Sequence, residues 1–195
     1  LLLGVSAGIT IYSYALYPAL LWIVSKVRLR HGVRAVEPAE WPPITITLPA
    51  FNAQDTLRPV LEALARTDYP ADRRQILVVS DGSTDGTDDL VREYSAQGVE
   101  LLRVEGRLGK TEIENRAFDS IRGDIVVNTD ASVTIDPKSI KKLVAALGDP
   151  EVGVASARDI SVASVGAVGH ASEAAYVGYE MWIRDLETAA EGIIG

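Results

Sequence analysis

Apolar and polar positions alternate along this chain with two different periods, and the switch between them predicts its elements. Ile44–Leu48, Ile76–Val79 and Ile125–Asn128 are short β-branched runs, each the length of a buried parallel strand. Between them, Leu57, Val60, Leu61 and Leu64 recur at i, i+3, i+4 and i+7, a helix with one apolar face and Pro59 in its first turn. The pattern continues with a helix around Asp88–Ala96 closed by Gly98, and a strand at Leu101–Val104. It then predicts a helix over Thr111–Arg122 closed by Gly123, with Ile113, Ala117 and Ile121 four apart. Asp136-Pro137 reads as an N-cap and first helical position before Ile140, Leu143, Val144 and Leu147. Val152–Ser156 is a candidate fifth strand, and a last helix is expected over Ser172–Glu191. Strands alternating with helices predict an α/β fold: a mostly parallel sheet with helices on both faces.

Ahead of this domain the pattern is different. Leu1–Ser25 carries no charge and is long enough to cross a hydrocarbon core of about 30 Å as a helix. A buried core helix is the alternative. Lys26, Arg28, Arg30 and Arg34 follow directly, so the positive-inside rule puts the downstream domain in the cytoplasm. A cleaved signal peptide would carry its bases before the apolar run, not after it. The expected organisation is a transmembrane helix at 1–25, a basic juxtamembrane linker at 26–43 and a globular domain at 44–195. Leu1 at one end and Ile193-Ile194-Gly195 at the other read as cuts from a longer protein.

Composition narrows the chemistry. The net charge is −8, and the first 34 residues hold four bases and no acid, so the remainder carries −12. Nucleic acid, bound mainly through cations on phosphate, is not an expected partner. There is no cysteine, hence no disulfide and no thiolate metal site. His31 and His170 cannot form a multi-histidine zinc site, and are expected in structural or surface roles.

Each of the three apolar runs ends in a polar stretch: Pro49-Ala50-Phe51-Asn52, Ser80-Asp81-Gly82-Ser83 and Thr129-Asp130-Ala131-Ser132. Open α/β sheets bind ligands outside the carboxyl ends of their strands, so these stretches describe one site. Asp81 enters a turn in which Gly82 and Gly86 offer conformations closed to other residues. It can accept hydrogen bonds from a base or a ribose, or simply end the strand as an Asx-turn. Asp130 can meet a hard divalent cation or serve as a cap. Gly106-Arg107-Leu108-Gly109-Lys110 offers cations on a loop that can approach phosphate, or that are merely solvated. No P-loop occurs, and no G-x-G-x-x-G follows the first strand.

The order and spacing of these motifs, from Ile44–Asn52 through Ile76–Thr87 and Gly109-Lys110 to Gly123–Ser132 and Asp136-Pro137, resembles family 2 glycosyltransferases. The likeness is greatest to their membrane-anchored polysaccharide-synthase branch, which Tyr176, Tyr179-Glu180, Arg184 and Glu187 also resemble. The resemblance implies a GT-A fold and inverting transfer of a sugar from a nucleotide diphosphate, commonly UDP, to a saccharide or lipid-linked acceptor at the cytoplasmic membrane face. By position it implies that Pro49, Ala50, Phe51 and Asn52 line the nucleotide pocket and that Asp81, with Gly82 and Ser83, holds the base or ribose. Lys110 would lie near the nucleotide. Asp130, with Ser132, would hold Mg²⁺ or Mn²⁺ on the diphosphate. Two positions depart from the family pattern: Ser80 replaces the first Asp of D-D-G-S, and the D-x-D motif reads Asp130-Ala131-Ser132. These departures motivate a second reading, a degenerate, non-catalytic domain acting as a membrane-bound binding or assembly subunit. The family's general base and its Q-x-x-R-W motif are expected after Gly195. Glu173, Glu180, Asp185 and Glu187 on the last helix are expected to be solvated or paired.

Overall fold

A computed structural model describes residues 2–27, 35–157 and 170–190. They belong to two compact units, one spanning Ala35–Pro150 and the other containing the N-terminal helices and the last helix.

In the N-terminal segment, α1 (Leu2–Ile11) and α2 (Tyr17–Val27) are joined by a π-helical turn at Tyr12–Leu16. The turn has a local cause. Pro18 lacks the N–H that would bond Tyr14, and its ring crowds that carbonyl, so the ladder widens and the Tyr17 N–H reaches back to Tyr12. Gly4–Val27 is 24 residues long and, by length and composition, apolar enough to cross a membrane. In the same unit the Tyr17 hydroxyl donates to Glu187 Oε1 of the last helix at 2.6 Å, and the Tyr14 and Tyr179 rings lie 5.9 Å apart. Glu180 pairs with Arg184 one turn on. His31 and the side chains of His170 and Glu173 lie outside the described residues.

The other unit holds four parallel strands, β1 (Ile44–Ala50), β2 (Arg74–Asp81), β3 (Val99–Val104) and β4 (Ile125–Asn128), in the order β3-β2-β1-β4. Alternate residues of β1 and β2 supply its two faces. Ile44, Ile46, Leu48, Ile76 and Val78 pack with Leu57, Val60, Leu61 and Leu64 of α3 (Gln54–Ala65) in the larger core. Leu90 and Val91 of α4 (Thr87–Glu93) and Ile140 and Val144 of α6 (Ser139–Ala146) complete it. Leu77, Val79 and Val104 face the opposite way, against Ile113 and Ala117 of α5 (Lys110–Ala117). The sheet is therefore covered on both faces, as the alternation predicts. Residues near the domain entrance pack onto it: Trp41 meets Tyr69 edge to face at 5.6 Å, and the Tyr69 hydroxyl donates to the Pro42 carbonyl at 2.6 Å. Burial pushes the Tyr69 hydroxyl up to about 12.

Four sequence expectations need correction. α3 begins at Gln54, so Pro59 lies in its second turn, where it removes one helical N–H donor, and not in its first. The helix predicted over Thr111–Arg122 ends at Ala117 and passes through a 3₁₀ turn, Phe118–Ser120, to an extended Ile121. Tertiary hydrogen bonds replace the helical ones there: the Arg122 N–H donates to Gln75 Oε1 and the Gly123 N–H to Thr45 Oγ1. Val152–Ser156 is not a strand; it is irregular and Val154 is 67 % exposed, since two valines flanking a glycine bury too little to dock. Asp136 takes the Lys138 N–H as a cap would, but the regular helix starts two residues beyond Pro137. The last helix, α7, runs His170–Ala190.

Candidate active site: a cleft at the carboxyl ends of the strands

Parallel pairing of Ala50 with Ser80 and of Thr47 with Asn128 brings the polar ends of β1, β2 and β4 to one edge of the sheet. Pro49, Ala50, Phe51, Asp81, Lys110, Ile113 and Asp130 line a cleft there of about 150 Å³. Six of these seven are residues the sequence points to. Ile113 is the addition, brought in because Lys110 opens α5 and Ile113 lies one turn along it.

Asp81 is the best-anchored acid in the cleft, only 4 % exposed. Its two carboxylate oxygens accept the backbone N–H groups of Leu108 and Gly109, at 2.7 and 2.9 Å. Gly106 and Gly109, at φ 82° and 89°, let the loop turn its amides toward that carboxylate. Each oxygen has a second lone pair, so Asp81 can hold the loop and still accept from a ligand. Gly82 is required twice over. Its φ is 64°, and a Cβ there would stand 2.7 Å from the Gly106 carbonyl oxygen. Gly86 differs from expectation: its φ is an ordinary −77°, and a Cβ there would meet only the end of the Gln54 side chain, at 2.7 Å, which can move aside.

Asn52, Gly82 and Ser83 do not line the cleft; they join its loops from behind. Asn52 adopts a left-handed φ of 46°, unusual outside glycine but accessible to asparagine. Its Oδ1 accepts the Thr84 N–H at 2.8 Å, and its own N–H donates to Ser83 Oγ at 3.2 Å. Ser80 is fully buried and donates to Ser83 Oγ at 3.0 Å. The position where the family pattern has aspartate therefore faces the protein interior here. The Arg103 guanidinium, bridging the Ser83 carbonyl and Asp88, braces the same turn from outside.

At the open side of the cleft, the Arg107 guanidinium lies 4.3 Å from the centroid of the Phe51 ring. Lys110 Nζ donates to Asp130 Oδ1 at 2.5 Å. That hydrogen bond is the main reason the lysine ammonium is held above its ordinary range, against some desolvation. Both side chains are about half exposed, at 55 % and 53 %. Ser132 is exposed in the turn closed by the Val133 N–H on the Asp130 carbonyl.

As a metal site this donor set is thin. Among the described residues no three acidic, histidine or cysteine side chains converge. One carboxylate and one neutral hydroxyl are too few oxygens for Mg²⁺ or Mn²⁺, which take about six, unless a ligand brings others. Asp130 therefore holds a free-standing divalent ion only weakly, Ser132 does not line the cleft, and a full coordination shell needs oxygens from a phosphate-bearing ligand.

Comparison with known proteins fits this geometry. The model of Glycosyl transferase family 2 matches residues 45–190. The chain belongs to that family. It is 32 % identical over 117 residues to Probable glycosyltransferase YdaM of Bacillus subtilis, covering 57 % of this chain and 28 % of that protein. It is 28 % identical over 116 residues to the dodecaprenyl-phosphate galacturonate synthase of Rhizobium johnstonii, covering 57 % of this chain and 34 % of that one. The chain thus spans about a third of the length of these curated relatives. Among solved structures it is similar to the mannosyltransferase of Pyrobaculum calidifontis in complex with GDP-Man and Mn²⁺. The TM-score is 0.67 and the identity 28 %, over 78 % of this chain and 46 % of that one. The fold is accordingly GT-A.

Proposed function

We propose that this protein is the donor-binding part of a membrane-anchored inverting glycosyltransferase. It would move a sugar from a nucleotide diphosphate sugar to a polysaccharide or lipid-linked acceptor at the cytoplasmic face. The observation that carries this reading is the convergence of Phe51, Asp81, Lys110 and Asp130, from four segments, on one cleft at the strand ends. Family membership and the relatives' names support it: one is a dodecaprenyl-phosphate galacturonate synthase, and another is a beta-monoglucosyldiacylglycerol synthase of a Synechocystis strain. The N-terminal apolar helix and the bases that follow support the anchor and its orientation.

Six of the seven lining residues have a role in this reading. Pro49 to Phe51 form one wall of the nucleoside site. Asp81 accepts from the base or ribose with its free lone pairs while fixing the Gly106–Gly109 loop. Lys110 offers its ammonium to the diphosphate, placing positive charge where the leaving group gathers negative charge as the sugar's C1–O bond breaks. Asp130, with Ser132, would hold a divalent ion against the same diphosphate, where it supplies Lewis-acid stabilisation of the leaving group. The family commonly uses UDP, whereas the Pyrobaculum neighbour holds GDP-Man, so both bases belong in the test.

The rival reading, a degenerate binding subunit, rests on two absent motif carboxylates. The buried Ser80 counts against it, because that side chain bonds Ser83 and is not among the residues that line the cleft. Calorimetric titration of UDP and of GDP into the full chain in detergent, with and without Mn²⁺, tests the assignment. Binding of one diphosphate, lost in Asp81→Ala and strongly weakened in Asp130→Ala, is expected. A folded protein that binds neither nucleotide in any condition overturns it.

A further inference from the structure

The Lys110–Asp130 pair supports an inference that deepens the donor-site reading and rests on it. We propose that Lys110 is an internal counter-cation that occupies the Asp130 metal position in the free protein. It yields that position only when a nucleotide diphosphate draws the ammonium onto its phosphates.

The ammonium lies 2.5 Å from Asp130 Oδ1, the carboxylate at the D-x-D position. The third position of that motif is Ser132, so no motif acid replaces it; the cleft's other acid, Asp81, holds the loop amides, and Glu114 of α5 acts on the ammonium from its own helix. A divalent ion approaching Asp130 in the absence of ligand therefore meets a neutralised carboxylate with a like charge standing on it. A diphosphate reverses the balance. It offers the ammonium a partner of higher negative charge, and it brings oxygens that complete the coordination of an ion on Asp130.

The mechanics of the exchange are also present. Lys110 follows Gly109, whose N–H is tied to Asp81 at 2.9 Å, so the lysine backbone is fixed beside the cleft. Its four-carbon stem ends in a half-exposed ammonium and can swing without disturbing the core. Arg107, the other cation of this loop, lies over the Phe51 ring. Metal and donor then enter together, and a metal alone binds less tightly than it would without the lysine.

The test is titration of Mn²⁺ into the full chain in detergent micelles, read as loss of the free-ion signal in electron paramagnetic resonance. Wild type, Lys110→Met, Lys110→Arg and Asp130→Asn are compared, each with and without UDP or GDP, whichever binds. With no nucleotide present, Lys110→Met should take up Mn²⁺ about three- to tenfold more tightly than wild type. That is the factor expected from loss of a half-exposed ion pair and of one like charge. Lys110→Arg should behave as wild type, and Asp130→Asn should remove the gain when combined with Lys110→Met. Added nucleotide should tighten Mn²⁺ binding more in wild type than in Lys110→Met. Unchanged or weaker Mn²⁺ affinity in Lys110→Met overturns the inference, whatever the nucleotide does. Failure of both nucleotides to bind wild type overturns the donor-site reading instead, and the metal-only comparison still decides the role of Lys110.

Discussion

Replacing Asp81 by asparagine preserves its shape and removes half of its accepting capacity. In the protein the two carboxylate oxygens face two backbone donors, Leu108 N–H and Gly109 N–H. An amide in that place presents one oxygen and one NH₂, so one donor faces another donor and the surviving bond loses its charge. Hydrogen bonds to a charged group are each worth about 1.5–3 kcal/mol. Losing one and weakening the other should lower the free energy of opening the loop by about 2–3 kcal/mol. At roughly 1.4 kcal/mol per tenfold change, amide exchange at Leu108 or Gly109 should accelerate roughly 30- to 140-fold. Hydrogen exchange read on a peptide covering residues 105–112 measures this directly, and Ile76–Val79 in the adjacent strand serves as the internal control. If exchange at 108 and 109 stays within threefold of wild type while β2 loosens, the carboxylate serves the strand end and its role as the loop's anchor is refuted.

Two other perturbations probe the sheet that carries the site. Gly123→Ala would put a Cβ 2.3 Å from the Ile44 carbonyl carbon and the Thr45 nitrogen, backbone atoms that cannot step aside. A loss of more than about 3 kcal/mol is expected, read as a drop of more than about 10 °C in the melting midpoint. The Arg122 guanidinium, with help from the Gln75 amide, holds the Glu100 carboxyl below its ordinary 4.5. A depressed folded value means that this stabilisation is complete above about pH 4.5 and is lost as pH falls through the lower folded value. The difference in melting midpoint between wild type and Glu100→Gln should therefore be constant near neutrality and shrink as the pH falls below about 4.5. A difference that grows on acidification would contradict the pairing.

Much of the site was legible before any coordinates because buried parallel strands write themselves as uninterrupted β-branched runs. The polar residues that end Ile44–Leu48, Ile76–Val79 and Ile125–Asn128 were thereby located at one sheet edge. The i, i+3, i+4, i+7 spacing of Leu57, Val60, Leu61 and Leu64 likewise found the helix that covers one face. What stayed hidden depends on groups that side-chain identity does not mark. Asp81 is satisfied by the main-chain N–H groups of residues 27 and 28 positions away, and any residue at 108 would offer the same donor. The early end of α5 has the same origin, since Thr45 and Gln75 capture amides that the local pattern assigned to a helix. The inward aim of Ser80 was hidden as well: a strand-end serine reads as a motif departure until its hydroxyl is seen bonded to Ser83.

The strand order has a consequence for how the chain is made. β1 emerges first yet lies inside the sheet, and Ile44 must wait for Ile125 to pair its outer edge. At 5–20 residues per second that interval is roughly 4–16 s of synthesis. Throughout it, Thr45 and Thr47 present open amides and carbonyls to whatever strand is nearby. β2 and β3 can zip onto the other side meanwhile, so the nascent domain passes through a three-stranded stage in which, in addition to the border of β3, the β1 border is open. Shielding of that border by chaperone or ribosome sets how much of the chain survives to close the sheet, and slow codons between residues 50 and 125 would lengthen the exposure rather than relieve it.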